Sequence, residues 1–446
     1  MTNDKKEKQK LSSAPYKGAR DFYPEDMRVQ NYIFDTWKKV CKRYGFEQYD
    51  FPILEPYEIF ASKTGEEIVN EQLFSFEDRG GRKLAIRPEL TPGTVRLIAQ
   101  KYKELQLPIK WFMIGNNWRY EKPQLGRGRE FNQLEFNVFG VEDATADFEV
   151  FALIIAIMRE FGADETMFVL KVSDRRLITL LLNDLLQLDE ETQLKVRRLM
   201  DKRSKMTLED FIAALKDAGL QDLQTQKVEE FLNGSIESLT KTFGKEMLTA
   251  NEGYKAITKL FKLLEDNSLS KYCEFDPSII RGFDYSDGTV YEVFDKNPTN
   301  RRSIFGGERF DRLINIFGDF KLPATGVAMG DYTLLEFLKG WKLLPDLAKN
   351  SSELEYFVTV WQGEEPTYLN KSLKLAQQIR NAGKNCFCWL DGNTKLEKQL
   401  KYADAKGYKN VVIIGSSELE TGQITVKNLQ TKEQKTLLET EFLGKL

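Results

Sequence analysis

Histidine is absent from all 446 residues. Without an imidazole, Ser-His-Asp and Cys-His nucleophile systems, His-ligated metal centres and a histidine general base are all excluded. An enzyme built from this chain works with carboxylates, guanidiniums, lysines, hydroxyls and backbone dipoles. Cysteine is scarce too. Cys41, Cys273, Cys386 and Cys388 form no CxxC, and the last two share an apolar strand-like run, which argues against a disulfide framework or a cysteine zinc site. No apolar run approaches the roughly 18–20 residues that span a bilayer. The opening MTNDKKEKQKLSSAP has no apolar h-region, so no secretory signal is predicted, and a cytosolic protein without membrane association is expected. Neither a P-loop nor GxGxxG occurs. Charge is nearly balanced, with 65 basic and 68 acidic residues and a net −3, which excludes a wholly basic nucleic-acid coat but leaves room for a local basic face.

The length suits about three domains of roughly 150 residues. Residues 1–17 read as a disordered lead-in. The pattern over 18–174 then predicts a sheet-based domain. A long amphipathic helix begins at Pro24 and stops at Gly45, and EQYDFPILEP reads as a strand carrying Pro52. Strand patterns follow in LAIRPE, IKWFMIGNNWRYE and REFNQLEFNVFGV, then a helix over 146–163 and a strand in MFVLKVSD. From 175 to 272 leucine-rich helical periodicity replaces the strand signals, which predicts a helical insertion. Sheet patterns return over 273–343, a linker spans 344–354, and 355–446 alternates strand and helix as a small α/β domain. The whole predicts an α+β protein.

Four polar islands stand out. In the hairpin from Trp118 to Glu135, Arg119, Arg127 and Arg129 flank a loop with Gly126 and Gly128. A half-buried guanidinium needs an anionic partner, and its fork suits phosphate or carboxylate; an ion pair of Arg119 with Glu121 or Glu135 accounts for it equally well. The second island, Arg281 to Glu292, combines an Arg-Gly step with an Asp287-Gly288 hairpin turn. The third, FGGERFD over 305–311, has paired glycines in a strand context, a sign of close backbone approach. The fourth, TGVAMGD over 325–331, runs a strand into a helix N-terminus, a natural anion site.

Taken in order, these segments resemble the histidyl-tRNA synthetases among class II aminoacyl-tRNA synthetases. KGARDFYP (17–24), with its helix and the Pro52 strand, is similar to the first class II motif, a dimer interface. RPELTP (87–92) resembles the substrate strand, Trp118–Gly140 the second motif, IRGFDY (280–285) a histidyl signature, and 354–446 an anticodon-binding domain. The resemblance implies an antiparallel sheet with flanking helices, interrupted by the helical insertion and followed by a small α/β anticodon-binding domain.

It further implies ligation of histidine to tRNA through an adenylate, with ATP and Mg²⁺, in a homodimer. Arg119 matches the second-motif arginine that grips the α-phosphate, a catalytic position that also borders the amino acid, and Glu121 and Arg127 match the nucleotide side. Glu89, Thr91 and Gln133 match positions around the amino acid's ammonium group. Arg281 matches a catalytic arginine touching both the α-phosphate and the substrate carboxylate, and Tyr285 the first tyrosine of the family's Asp-Tyr-Tyr, an amino-acid-binding position. Three positions depart from the pattern. Asn137 stands for an acidic residue and Ser286 for a second tyrosine, both near the imidazole, and Thr333 stands for the third-motif arginine that grips the γ-phosphate. Glu135, on the same strand face as Asn137, is the expected substitute carboxylate, and Arg309 or Arg312 the expected γ-phosphate cation. Lys395, Lys398 and Lys401 on one helix side are candidate tRNA contacts, or a solvated face with Glu397–Lys401 pairing. Two other readings stay open: a non-catalytic regulatory paralogue, and a class II ligase for a different amino acid.

Overall fold

Pro24 opens the first helix, where its missing N–H costs nothing; Glu25 and Asp26 follow in the first turn, and Lys42 and Arg43 complement the dipole in the last. In the computed structural model, which describes residues 11–61, 68–124, 126–280, 286–300, 303–347, 354–363 and 366–446, this helix is α1 (Pro24–Arg43). Its apolar stripe of Ile33, Trp37, Val40 and Cys41 is buried, and the indole N–H of Trp37 donates to Met329 Sδ at 3.1 Å. The chain divides into two units, Met1–Leu343 and Leu344–Leu446.

The strands of the first unit are β1 (Glu47–Gln48), β2 (Leu54–Pro56), β3 (Ser75–Glu77), β4 (Lys83–Ile86), β5 (Ile109–Trp118), β6 (Glu130–Phe139), β7 (Phe168–Asp174), β8 (Cys273–Phe275), β9 (Thr289–Asp295), β10 (Ser303–Arg309) and β11 (Ala324–Gly330). Eight of them form one sheet in the order β1-β5-β6-β11-β10-β9-β7-β8. It is antiparallel except at its edges, where β1 runs parallel to β5 and β8 parallel to β7. The strands β2, β4 and β3 make a separate small sheet. The single strand expected over EQYDFPILEP is therefore corrected: it splits around Pro52, with β1 in the large sheet and β2 in the small one. Proline has no N–H for a ladder and restricts the residue before it, so the chain leaves one sheet there and enters the other.

Helix α2 (Tyr57–Ala61) precedes the small sheet's second strand, and α3 (Thr91–Gln100) leads into β5. The next helix, α4 (Thr145–Glu160), buries Val150, Phe151, Ile154, Ile155 and Met158, a nearly all-round apolar surface that marks it as internal. Between β7 and β8 lie α5 (Arg175–Thr179), α6 (Glu190–Lys202), α7 (Leu208–Asp217), α8 (Asp222–Leu232), α9 (Leu239–Phe243), α10 (Lys245–Ala250) and α11 (Glu252–Asp266). They enclose a core of their own around Leu181, Val196, Phe211 and Phe231. Asp189, Thr207 and Asn251 cap three of them by accepting backbone N–H bonds. The first unit ends with α12 (Asp331–Gly340).

The second unit holds β12 (Tyr356–Val358), α13 (Pro366–Asn381), β13 (Cys386–Cys388), α14 (Leu396–Lys406), β14 (Asn410–Ile413), α15 (Ser416–Thr421), β15 (Gln423–Asn428), β16 (Gln434–Leu438) and α16 (Glu439–Leu443). Its sheet runs β13-β12-β14-β15-β16, with the first three strands parallel. The hairpin of β15 and β16 extends the predicted strand–helix alternation with an antiparallel pair. Cys386 and Cys388 are free thiols in this core. Among the described residues, no helix is long and apolar enough to cross a membrane.

Candidate active site

Alternation along β6 sends Phe131, Gln133, Glu135 and Asn137 to one face of the large sheet, and Leu134, Phe136 and Val138 to the other. The polar face floors a cleft of about 2100 Å³. Glu89, between β4 and α3, and Thr91, the first residue of α3, line it, as do Arg119 and Glu121 just past β5. Gln124, Gly126, Arg127 and Gly128, with the start of α12 including Thr333, also line it. Gly128 is required here, because a Cβ would overlap the Tyr332 hydroxyl.

Arg119 is aimed by its backbone surroundings. Its Nε–H donates to the Pro88 carbonyl at 2.8 Å, and its guanidinium lies 5.3 Å from the Phe131 ring centre. Glu121 Oε1 is 4.0 Å from Arg119 Nη1, while Glu121 Oε2 pairs with Arg127 Nη1 at 3.2 Å. One carboxylate thus stands between two guanidiniums in the cleft. Gln133 accepts from Asn117 Nδ2 at 2.8 Å, which assigns its carbonyl to the sheet and leaves its amide N–H groups for the cleft.

Glu135 is sealed beneath this floor. It accepts from Thr91 Oγ1 at 2.7 Å, Thr94 Oγ1 at 2.7 Å, Tyr49 Oη at 3.1 Å and Asn137 Nδ2 at 2.9 Å. Burial raises its pKa, and these donors pull the other way without cancelling the rise. It does not line the cleft; in place of the expected direct contact with a substrate, it fixes Thr91 and Asn137, which line the cleft.

Arg309 needs a correction as well. Glu308 faces the cleft, so alternation turns Arg309 to the back of the sheet. Its guanidinium is 3% exposed and pairs with Asp147 at 2.7 Å and Asp311 at 3.2 Å. Burial alone would depress its pKa, but the two carboxylates outweigh that and raise it. It is a structural cation with no path to a γ-phosphate. Arg312 is exposed, its Nε 3.8 Å from Asp287. At the start of α12, where the sequence predicts an anion site, the chain places its own carboxylate: Asp331 accepts from Arg20 Nη2 at 2.6 Å and from the Asn132 N–H at 3.1 Å. Ser286 is buried and donates its hydroxyl to Glu308. Arg281 and Tyr285 lie outside the described residues.

A family model described as histidyl-tRNA synthetase matches residues 18–333, and one described as anticodon binding domain matches 357–446. The chain belongs to the histidyl-tRNA synthetase family. Among its relatives, the histidine–tRNA ligase of Leptospira biflexa is 38% identical over 439 residues, covering 98% of each chain. That of Haloarcula marismortui is 35% identical and covers 96% of each. The crystal structure of histidyl-tRNA synthetase from Nostoc sp. PCC 7120 shares the fold, with a TM-score of 0.80 at 24% identity over 98% of this chain and 100% of that one.

Within this family frame, the cleft unites Glu89, Thr91, Arg119, Glu121, Arg127, Gln133 and Asn137. In the second unit, Lys395 at the N-cap of α14 and Lys398 and Lys401 on the helix are exposed, and Lys401 pairs with Glu397 at 2.8 Å. Tyr49, Thr94, Arg20 and Glu308 escaped sequence reasoning. Tyr49 and Thr94 act through Glu135, Arg20 through Asp331, and none of these pairings is local in sequence.

Proposed function

We propose that the chain is an ATP-dependent histidine–tRNA ligase working through a histidyl-adenylate. The observation that carries this reading is Arg119, braced by the Pro88 carbonyl, facing the same cleft as Glu89, Thr91 and Gln133. In the first step an oxygen of the histidine carboxylate attacks the α-phosphorus of ATP and pyrophosphate leaves. The nucleophile is already an anion at neutral pH, so no base is needed, and a chain without histidine loses nothing. Catalysis then consists of positioning and charge neutralisation. Arg119 neutralises the α-phosphate; Arg127 serves the nucleotide side, and Arg281 joins Arg119 on the resemblance alone. Glu89, Thr91 and Gln133 hold the ammonium group. A tRNA hydroxyl then attacks the activated carbonyl and AMP leaves.

Mg²⁺ fits this site as a companion of ATP. It prefers phosphate oxygens with one or two carboxylates to a full protein cage. Among the described residues no group of three or more His, Cys, Asp or Glu side chains forms such a cage, and Glu121 is the carboxylate placed to contribute. The metal supplies charge neutralisation along the triphosphate.

On the same reading Lys395, Lys398 and Lys401 contact tRNA phosphates, and the protein acts in the cytosol as a homodimer. Ile53, Leu54 and Phe76, exposed in and around the small sheet, are apolar side chains that a dimer interface would cover. The test is ATP–pyrophosphate exchange across the amino acids. Histidine-dependent exchange is expected; exchange with another amino acid would reassign the substrate, and none at all would make the chain a non-catalytic relative.

A further inference from the structure

On the cleft floor the side-chain space above Gly326 is taken by Asn137 Oδ1. Gly326 on β11 pairs in register with Asn137 on β6 to one side and with Glu308 on β10 to the other. Directly paired residues share a face, so Asn137 and Glu308 both rise from the floor with a glycine between them. At roughly 4.8 Å per strand their backbones stand about 9–10 Å apart. Asn137 is 1% exposed and Glu308 5%, and both line the cleft.

Each side chain is held from behind. Asn137 Nδ2 donates to Glu135 Oε1 at 2.9 Å. A carboxylate gathering this many donors is an acceptor, so the end of Asn137 that meets it is the NH₂ end and Oδ1 is turned outward. This Oδ1 reaches over Gly326, where a Cβ would overlap it. Ser286 donates its hydroxyl to Glu308 Oε2, and the Ser286 carbonyl in turn accepts from Arg175 Nη1 at 2.8 Å. Glu308 is thereby fixed as an acceptor opposite Asn137.

We infer that Glu308, held by Ser286, is the carboxylate that reads the imidazole ring of histidine, with Asn137 Oδ1 reading the ring's other edge across Gly326. The imidazolium form of the ring, with an N–H on each nitrogen, can donate to both acceptors at about 2.9 Å when seated above the floor beyond Asn137 Oδ1, whereas a Cβ at 326 would displace that oxygen. The two departures from the family pattern then compensate each other. Asn137 presents a carbonyl where an acid is usual. Ser286 is small, and its hydroxyl secures a carboxylate from the neighbouring strand. Glu308 contacts substrate, while Ser286 and Glu135 are positioning residues.

This deepens the proposed histidine ligation and rests on it, so the test starts with histidine-dependent ATP–pyrophosphate exchange by the unmodified protein. Absence of that exchange overturns both readings. Where exchange is present, E308Q is expected to raise KM for histidine roughly 10–100-fold, the worth of a hydrogen bond to a charged group, with KM for ATP and the melting temperature unchanged. S286A should raise KM for histidine by less. An unchanged KM in E308Q overturns the inference and leaves the function standing. A wild-type measurement covers the case in which E308Q misfolds. Histidine methylated on either ring nitrogen keeps only one N–H even when the ring is protonated and should be rejected; efficient exchange with either isomer overturns the inference.

Discussion

Arg309 offers a sharp separation between a structural and a functional cation. Replacing it with methionine keeps the volume of the stem but leaves Asp147, 1% exposed on its side chain, without its guanidinium. Breaking one side of a buried pair costs about 3–5 kcal/mol. Arg309 also donates to the carbonyls of Val141 and Asp143, each at 3.2 Å, so the loss sits at the upper end of that range. A change of 1 kcal/mol shifts the melting temperature of a 150–250-residue domain by about 2–4 °C. The first unit is larger, so the lower coefficient applies and R309M should melt about 8–10 °C below the wild type. At a permissive temperature its KM for ATP should be unchanged. A variant with wild-type melting and a selectively raised KM for ATP would place Arg309 on the nucleotide and refute the reasoning.

G326A introduces a Cβ into the space taken by Asn137 Oδ1, an overpacking that costs about 1–3 kcal/mol; exchange kinetics should show a raised KM for histidine, and an unaltered value would contradict the geometry. Burial, reinforced by neighbouring Asp311, pushes the Asp287 carboxyl from 3.8 up to about 6. A raised carboxyl means the folded state holds the proton more tightly, so the associated stability is complete below pH 3.8 and is lost as pH climbs to about 6, an effect of roughly 3 kcal/mol. Denaturation of wild type and D287N across pH 4–7 should show their difference changing by about that amount, and a constant difference would contradict it. Replacing Lys395, Lys398 and Lys401 together with alanine should raise KM for tRNA and flatten its salt dependence, since each lost phosphate contact removes roughly 0.7–0.9 from the log–log slope; an identical slope would leave these lysines as a solvated face.

Much of this architecture was legible because it is local. The Pro24 start, the acidic first turn and the basic last turn of α1 are adjacent in sequence, and the alternation along β6 assigns Gln133 and Asn137 to one face. What escaped was set by partners far away. Pro52 was readable as an edge signal, but not as the point where the chain changes sheets. Nothing in FGGERFD says which of Glu308 and Arg309 faces the cleft; that follows from the register with β9 and β11. The fit of Ser286 to Glu308, and of Tyr49 and Thr94 to Glu135, depends on strands and helices brought together only by the fold.

The central claim is that a fixed guanidinium, with no proton-shuttling imidazole, carries activation at the α-phosphate. R119A tests it most directly in histidine-dependent ATP–pyrophosphate exchange. The account predicts a fall in kcat of about 10²–10³, the scale for removing one preorganised donor to developing charge, with the melting temperature retained. Exchange at the wild-type rate would contradict it.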